Sequence, residues 1–493
     1  MTTQAPPNII VLVFDTLRAD VLSCYGGSVN VESFNRVSQN GTTFDNAYAA
    51  GPGTAISHAA LFSGQYPSTN GVTHQTQIPE TTPMLAEHLS KHGYSTFGIA
   101  GPSKMGSEWG YDRGFEEYYE KYVDHPQYNS PLDVIKKLAV HKDRWLVLKD
   151  LSRAFTSGSD SFTTYKFELL KKRISRSLES PYFAFMNTTL VHHPWIPPRP
   201  YMVEATPSIN RPKLNVIEYL TDSYPTIERD DVRRDRLFPA NSGEWRDRIR
   251  NDVSYLNDAE LAILKDWYKA CIRCLDDRLC DFLSWFDESE CTENTILVLT
   301  SDHGEAFGEH GLWTHGDGLF DEVLNVPLLI TGPGVPEGKR IKSFVGHIDI
   351  FDTLCELADI NSPEETDGRA LINGEVRGAA YSEYAPKPKY DPENSNQLEH
   401  LEDLNEEKLH ELSLGRKCVR TTDYLYIYRS DGSERLYERP EEKFVPDPDT
   451  DICAQFREDL EDTLGLSFNR QDQNLYDDIS EGVRQDLKEL GYL

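Results

Sequence analysis

The sequence predicts an α/β protein: a doubly wound, mostly parallel sheet with helices on both faces, followed by a small C-terminal α+β domain. Three observations carry this expectation. Continuous apolar runs recur at residues 8–14, 182–189, 294–302 and 326–332, and runs without alternation mark strands buried on both faces. Helical patterns separate these runs, which implies crossover connections and parallel neighbours. Several runs also end abruptly in Asp or His, as expected where parallel strands deliver polar side chains to one edge of a sheet.

Taken in order, NIIVLVF (8–14) is the first buried strand, and VESFNRVSQN (31–40) is a helix. A short strand near TTFDNAY and a helix beginning near Thr54 come next. MLAEHLSKHG and YSTFGIAG form a helix-turn-strand pair, with Gly93 as the stop signal. YFAFMNTT, NTILVLTSD and VPLLITG are strands, and IDIFDTLCELADI (348–360) is a helix. The segment ELAILKDWYKACIRCLDDRLCDFLSWF has helical spacing throughout. Its Cys271, Cys274 and Cys280 invite a zinc reading, yet no second CxxC or paired His follows at finger-like spacing, so they read as helix thiols. Residues 120–175 and 203–255 are charge-rich insertions expected to form a lid or rim. The catalytic domain is expected to span 1–375, and a smaller domain 376–493. In the latter, 388–415 is an acidic linker or loop, KCVRTTDYLYIYRS and RLYERP alternate as antiparallel strands, and Asp431-Gly432 is a hairpin turn. The chain ends in DISEGVRQDLKELGYL, a capped amphipathic helix.

At 493 residues the chain exceeds one core's usual size, which agrees with a large domain plus a small one. Its 38% hydrophobic and 11% aromatic content argues against disorder. The 81 acidic residues outweigh 50 basic ones, for a net charge of −31 that repels nucleic acids and anionic membranes. The acidity is spread along the chain, as in a plain acidic enzyme or in one adapted to a salt-rich, halophilic cytoplasm. No segment offers the ~20 apolar residues needed to span a bilayer. MTTQAPPNIIVLVFD lacks a basic n-region and a cleavage site, so a cytoplasmic location with reduced thiols is expected.

Chemistry concentrates in three places. Asp15 is the first polar residue after a buried strand, a common position for a metal ligand and equally for a turn cap. In GPGTAISHAALFSGQYPS (51–68) a Gly/Pro loop leads into a helix with Thr54 at its first turn, where Thr54 is either an N-cap or a nucleophile held against an anion. In LTSDHGEAFGEHGLWTHGDG (299–318) a strand delivers Asp302 and His303 together, ahead of a Gly-rich loop with His310 and His315. Two carboxylates and an imidazole on separate strand ends suit one divalent cation.

With these motifs in hand, the sequence resembles the sulfatase family of the alkaline phosphatase superfamily. PNIIVLVFDTLRADVLSCYGG resembles its opening strand and metal loop, TAISHAALFSGQYPSTNGV its nucleophile motif, and LTSDHGEAFGEHGLWTHG its second metal motif. FDEVLNVPLLITGPG, VGHIDIFDTLCELADI and the tail DLKELGYL continue the match. The departures are chemical. Where the family has Cys or Ser, any residue, Pro, Ser, Arg, this chain has Thr54-Ala55-Ile56-Ser57-His58. Thr cannot be oxidised to formylglycine, and His58 stands in place of the anion-gripping Arg. Thr16 replaces the second of two adjacent Asp residues, and His303 stands where many sulfatases have Asn. In these features the chain looks closer to phosphonate monoester hydrolases and to Thr-nucleophile phosphodiesterases and phosphoethanolamine transferases.

The resemblance implies that Asp15, Thr54, Asp302 and His303 hold one divalent ion, with Mn²⁺ or Mg²⁺ favoured and Ca²⁺ or Zn²⁺ admissible. Thr54 would be the nucleophile, and His58, His192 and His315 would stabilise the anion or protonate the leaving group. His192 is preferred to His193 because HHPWIPP resembles the family's His-x-Pro-aromatic segment, and His315 falls where relatives place an anion-binding Lys. Lys104 is a further candidate anion contact; His310 and His74 read as loop residues. A formylglycine hydrate expels sulfate by collapsing to an aldehyde, whereas a Thr-bound group must be released by direct attack of water. Phosphate mono- or diesters, or phosphonate esters, are therefore expected ahead of sulfate esters. The expected partner is a small anionic ester or glycan, with no nucleic acid and no membrane insertion; oligomeric state is not legible. Alternatives are a true sulfatase and a non-catalytic binder of anionic glycans. A two-metal enzyme would need a second ligand set, which the sequence does not assign, and a membrane-bound headgroup transferase would need an anchor.

Overall fold

The first apolar run forms strand β1 (Asn8–Phe14), flanked on both sides by parallel partners: β5 (Tyr182–Thr188) and β6 (Thr295–Thr300). This computed structural model describes residues 5–73, 76–101, 103–120, 160–176, 179–207, 232, 237, 255–374, 377–385, 410–411 and 413–468. With β2 (Gly41–Tyr48), β3 (Ser95–Ile99), β4 (Glu117–Tyr119), β9 (Leu328–Thr331) and β10 (Lys339–Gly346), these strands make one sheet ordered β10-β2-β9-β6-β1-β5-β3-β4. The absence of alternation in β1 has its structural counterpart. Ile9, Val11 and Val13 enter one core, Ile10, Leu12 and Phe14 the other, and all six are fully buried. Burying each such side chain stabilises the fold by roughly 1.5–3 kcal/mol.

Helices cover both faces as expected: α1 (Glu32–Gln39), α2 (Thr54–Ser63), α3 (Leu85–Lys91), α4 (Thr163–Arg176), α5 (Asp258–Glu288) and α6 (Ile348–Leu357). Gly93 sits at φ +87° after α3, the left-handed geometry that a stop signal requires. The long α5 opens on a capping box in which Asn257 accepts from Glu260 N–H and Glu260 accepts from Asn257 N–H. It buries Cys271 and Cys274 in the core, and none of the seven described cysteines is in a disulfide. Asp276 of α5 accepts the N–H groups of Glu32 and Ser33 at 2.7 and 3.0 Å, capping α1, whose own Val31 offers no side-chain oxygen.

One strand departs from the parallel expectation. β9 runs antiparallel to both β6 and β2. Between β6 and β9 the chain holds only short elements: β7 (Ala306–Phe307), β8 (Trp313–Thr314) and a one-turn helix (Asp321–Leu324). Without a crossover back to the opposite edge, the next strand must start where the last one ended.

The C-terminal strands form a separate antiparallel sheet, β11 (Ala380–Tyr384), β12 (Arg416–Arg420), β13 (Tyr424–Arg429), β14 (Glu434–Glu438) and β15 (Lys443–Phe444). Gly432 turns the β13–β14 hairpin at φ +83°. Helix α7 (Thr450–Leu464), absent from the sequence expectation, packs on this sheet through Cys453, Leu460 and Leu464. The expected helix over 478–493, most of the acidic 388–415 span, most of 120–175 and nearly all of 203–255 lie outside the described residues.

The two sheets meet at a polar joint. Arg420 and Arg439 pair with Asp321, and the buried Glu442 accepts the Asp321 N–H at 3.0 Å. Burial, then repulsion from Asp321, pushes the Glu442 carboxyl from its ordinary 4.5 up to about 9, against the pull of Arg420. The folded chain thus keeps a proton that the unfolded chain has lost, and stability falls as pH climbs from 4.5 towards 9. Glu442→Gln retains an acceptor oxygen and removes the titration. It is expected to raise unfolding free energy by about 2 kcal/mol at neutral pH and by little below pH ~5, as read from urea unfolding at both pH values.

Candidate active site

Because β1, β5 and β6 are parallel and in register, Phe14, Thr188 and Thr300 end together at one edge. The two antiparallel steps through β9 return β2 to the same direction, and β10 is parallel to β2, so Tyr48 and Gly346 end there too. Just beyond these strand ends stand the polar residues of the site: Asp15 after β1, Gly53-Thr54 after β2, His192-His193 after β5, Asp302-His303 after β6, and His347 after β10. The site lies beyond the carboxyl ends of the parallel strands, where ligands usually bind in doubly wound folds.

His303 is its hub. Its Nε2 lies 3.4 Å from Thr54 Oγ1, 3.5 Å from Asp302 Oδ2 and 4.0 Å from Asp15 Oδ1. Its Nδ1–H donates to the Gly304 carbonyl at 2.9 Å, which fixes the tautomer with the lone pair on Nε2. Ligand atoms of Asp15, Asp302 and His303 lie within 4.8 Å of one another, and all three residues are buried. Asp302 Oδ2 is buried and accepts no hydrogen bond. Two desolvated carboxylates and one imidazole lone pair at this spacing fit a divalent cation. Burial opposes charge on Asp302. His303, His58 and the N–H groups of Thr16 and His303 outweigh it and hold the carboxyl below its ordinary value.

Thr54 opens α2, but Gly53 is the N-cap and Thr54 makes no cap hydrogen bond. Its hydroxyl is thus turned to His303 at the positive end of the helix dipole. One turn on, His58 is wholly buried. Its Nδ1–H donates to the Thr54 carbonyl at 2.9 Å, and Asn187 Nδ2–H donates to its Nε2 at 3.2 Å. Donating from Nδ1 and accepting at Nε2, the ring is in a neutral tautomer, and burial pushes it below its ordinary value against the pull of Asp302.

The third group is imidazole-rich. Ligand atoms of His192, His193 and His315 fall within 4.8 Å of one another, all three side chains buried. The loop after His303 returns through the β7–β8 pair, with Thr314 at φ +59°, and sets the His315 ring 4.3 Å from the His303 ring. The loop begins at Gly304, where a Cβ would meet the Glu322 carbonyl at 2.1 Å, so only glycine fits. His315 Nδ1–H donates to the buried Glu305 carboxylate at 3.0 Å. His192 Nδ1–H donates to the His193 carbonyl at 2.7 Å.

Lys104 is buried with Nζ 4.2 Å from the centre of the Trp109 ring, and His310 stacks on Phe320 at 3.9 Å. His74 is outside the described residues.

Several contributors are invisible in the sequence. Ser301 Oγ accepts Leu17 N–H and donates to carbonyl oxygen at the ends of β1 and β6. Thr16, at φ +63°, is spent on structure: its hydroxyl donates to Val191 O and its N–H to Asp302. Tyr268 of α5 donates to Thr16 O, and His347 Nε2–H donates to Ser301 O. Burial pushes His347 down to about 4. Glu305 and Asn187 stand inside runs already read as motif and strand; only the fold shows what each one holds.

Comparison with known proteins agrees with this geometry. The Sulfatase family model matches residues 7–360. A sulfatase of Formosa agariphila is 22% identical over 88% of this chain and 80% of its own length. Arylsulfatase K of Bos taurus is 25% identical over 98% of this chain and 84% of its own. Among solved structures, the phosphonate monoester hydrolase of Agrobacterium radiobacter superposes with a TM-score of 0.66 at 19% identity, covering 93% of this chain and 95% of that one. A putative sulfatase from Bacteroides thetaiotaomicron gives 0.63 at 20% identity, with 93% and 92% covered. Among the described residues no helix is long and apolar enough to cross a membrane. With the family model spanning the whole of the large sheet, the chain belongs to the sulfatase family and is an ester-cleaving hydrolase.

Proposed function

We propose that the chain hydrolyses phosphate or phosphonate esters through a covalent intermediate on Thr54. The observation that carries this reading is the Thr54 hydroxyl, buried at a helix N-terminus 3.4 Å from His303 Nε2 and making no capping bond. A divalent ion held by Asp15, Asp302, His303 and Thr54 Oγ1 would supply the positive charge that favours the Thr54 alkoxide.

Thr54 Oγ1 gives its proton to solvent and attacks phosphorus, the bond to the ester oxygen breaks, and the leaving oxygen departs with the electron pair and takes a proton from solvent or a neighbouring imidazole. Water then attacks the phosphothreonine, returning Thr54 and releasing the phosphoryl group. His192 and His315, whose rings adjoin each other and, through His315, that of His303, stand where positive charge would meet the developing anion, carried either as protons or by a bound cation. His58 plays a different part from the one its motif position suggests. Neutral and hydrogen-bonded at both nitrogens, it holds the first turn of α2 against β5 and so positions Thr54.

A sulfate-ester substrate is the second reading, favoured by the relatives' names, which include choline-sulfatase of Rhizobium meliloti, 24% identical over 79% of this chain. Against it stands the release step: a sulfated threonine has no aldehyde to collapse to.

Matched aryl phosphate, phosphate diester, phosphonate and sulfate substrates, with metal-stripped protein resupplied with Mn²⁺ or Mg²⁺, separate the two. Metal-dependent turnover is expected on the phosphorus substrates, and preferential sulfate cleavage would reverse the assignment. Thr54→Ala is expected to lower turnover by roughly a thousandfold or more without unfolding the chain, and quenched wild type should carry a phosphoryl adduct on Thr54. Undiminished turnover in Thr54→Ala sinks the covalent mechanism. His58→Gln and Asn187→Ala should each lower kcat about tenfold with a smaller change in KM and an unmoved pH profile, since neither residue exchanges a proton with substrate.

A further inference from the structure

We infer that His192, His193 and His315 form a second divalent-cation site beside the first, so that two ions flank Thr54. The sequence offered no second ligand set because these residues come from two distant strand ends. The fold brings their ligand atoms within 4.8 Å of one another, in a buried cluster. The His315 ring lies 4.3 Å from that of His303, 5.0 Å from His192 and 5.4 Å from His193, so the two donor groups adjoin.

The hydrogen bonds are those of metal-binding imidazoles. His315 Nδ1–H is held by the Glu305 carboxylate and His192 Nδ1–H by a backbone carbonyl, as His303 Nδ1–H is. Each anchor places the lone pair on Nε2 and stops the ring turning, and a carboxylate partner raises ligand basicity. Three protein nitrogens are the donor set of many catalytic zinc sites, whose remaining position takes water or substrate.

The two sites differ in chemistry. The carboxylate-rich group with Asp15 and Asp302 suits Mg²⁺ or Mn²⁺, whereas the all-nitrogen group suits Zn²⁺ or Co²⁺. Neutral ligands leave the second ion's charge uncancelled except by Glu305. That surplus favours a doubly charged phosphate monoester over a singly charged diester or sulfate ester. The inference rests on the proposed reading of the Thr54 site, and it narrows the substrate class.

The test counts ions. Full-length protein stripped by chelation and resupplied with Co²⁺ is examined by native mass spectrometry and by its visible absorption. Wild type is expected to bind two ions per chain in two phases, and His192→Ala and His315→Gln one each. Asp302→Asn is expected to lose the other ion. Should a His variant fail to fold by circular dichroism, the wild-type titration alone decides, since a single phase with one ion overturns the proposal. One ion in wild type, with inorganic phosphate bound to metal-free protein and lost in His315→Gln, would likewise overturn it in favour of protonated anion donors. Failure of the Thr54 reading looks different: two ions bind, yet quenched protein carries no adduct on Thr54. One ion together with an adduct leaves Thr54 in place and removes the second site.

Discussion

Two buried carboxylates, Asp15 and Asp302, face a single imidazole nitrogen, and holding them out of water is the constraint on which the rest of the structure depends. Uncompensated, charges buried in this way would cost several kcal/mol each. Part of the compensation is visible in the chain itself. The N–H groups of Thr16 and His303 both donate to Asp302 Oδ1, the first from the tight turn that Thr16 makes at positive φ. That turn is in turn held by Tyr268 from the long helix α5 and by Val191 from the segment after β5. Ser301 ties the ends of β1 and β6 together from between. Much of the polar bonding at this edge therefore serves to keep two acids close, and a cation is the natural completion of that arrangement.

The same scaffold explains how much of the fold is legible in the sequence. Strands buried on both faces leave an unmistakable apolar run, and a run that stops at Asp or His announces the edge where chemistry gathers. Asp15, Asp302 and His303 are legible for that reason, Thr54 from the Gly/Pro loop that leads into its helix, and the order of most strands and helices is legible too. β10 is not, because Lys339, Arg340 and Lys342 give an edge strand the look of a loop. The direction of β9 is not either, since it depends on where residues 304–327 travel and not on what β9 contains. Helix α7 is acidic on most of its surface and buries only Cys453, Leu460 and Leu464, so its period is faint.

Within the site, pairings of distant residues are the part sequence cannot show. Motif resemblance alone separates His192 from His193, while the fold sets both rings against His315. Glu305 reads as one more loop acid until the β7–β8 return brings His315 Nδ1 to it. His58 occupies a motif position tied to anion binding, yet its ring is spent on Thr54 and Asn187. Thr54 presents an ambiguity of a different kind. A Thr at a helix start is ordinarily a cap, and only the placement of Gly53 one residue earlier releases its hydroxyl.

The motif resemblance sets His58 and His315 where relatives carry Arg and Lys, and such an exchange has a physical consequence wider than either position. Arg and Lys carry charge at any physiological pH, so a site lined with them attracts anions by itself. His58 is neutral in its buried place, and a buried imidazole cluster gains charge only by taking up protons or a metal ion. The surrounding protein, at −31, opposes an incoming anion. On the proposed reading, anion affinity would be conditional, created when cations occupy the sheet edge and lost when they leave. A site lined with Arg and Lys can keep its grip after its metal is removed. Here the same structural edge would hold the substrate only as long as it holds the ion, and the acidity of the whole molecule sharpens that dependence.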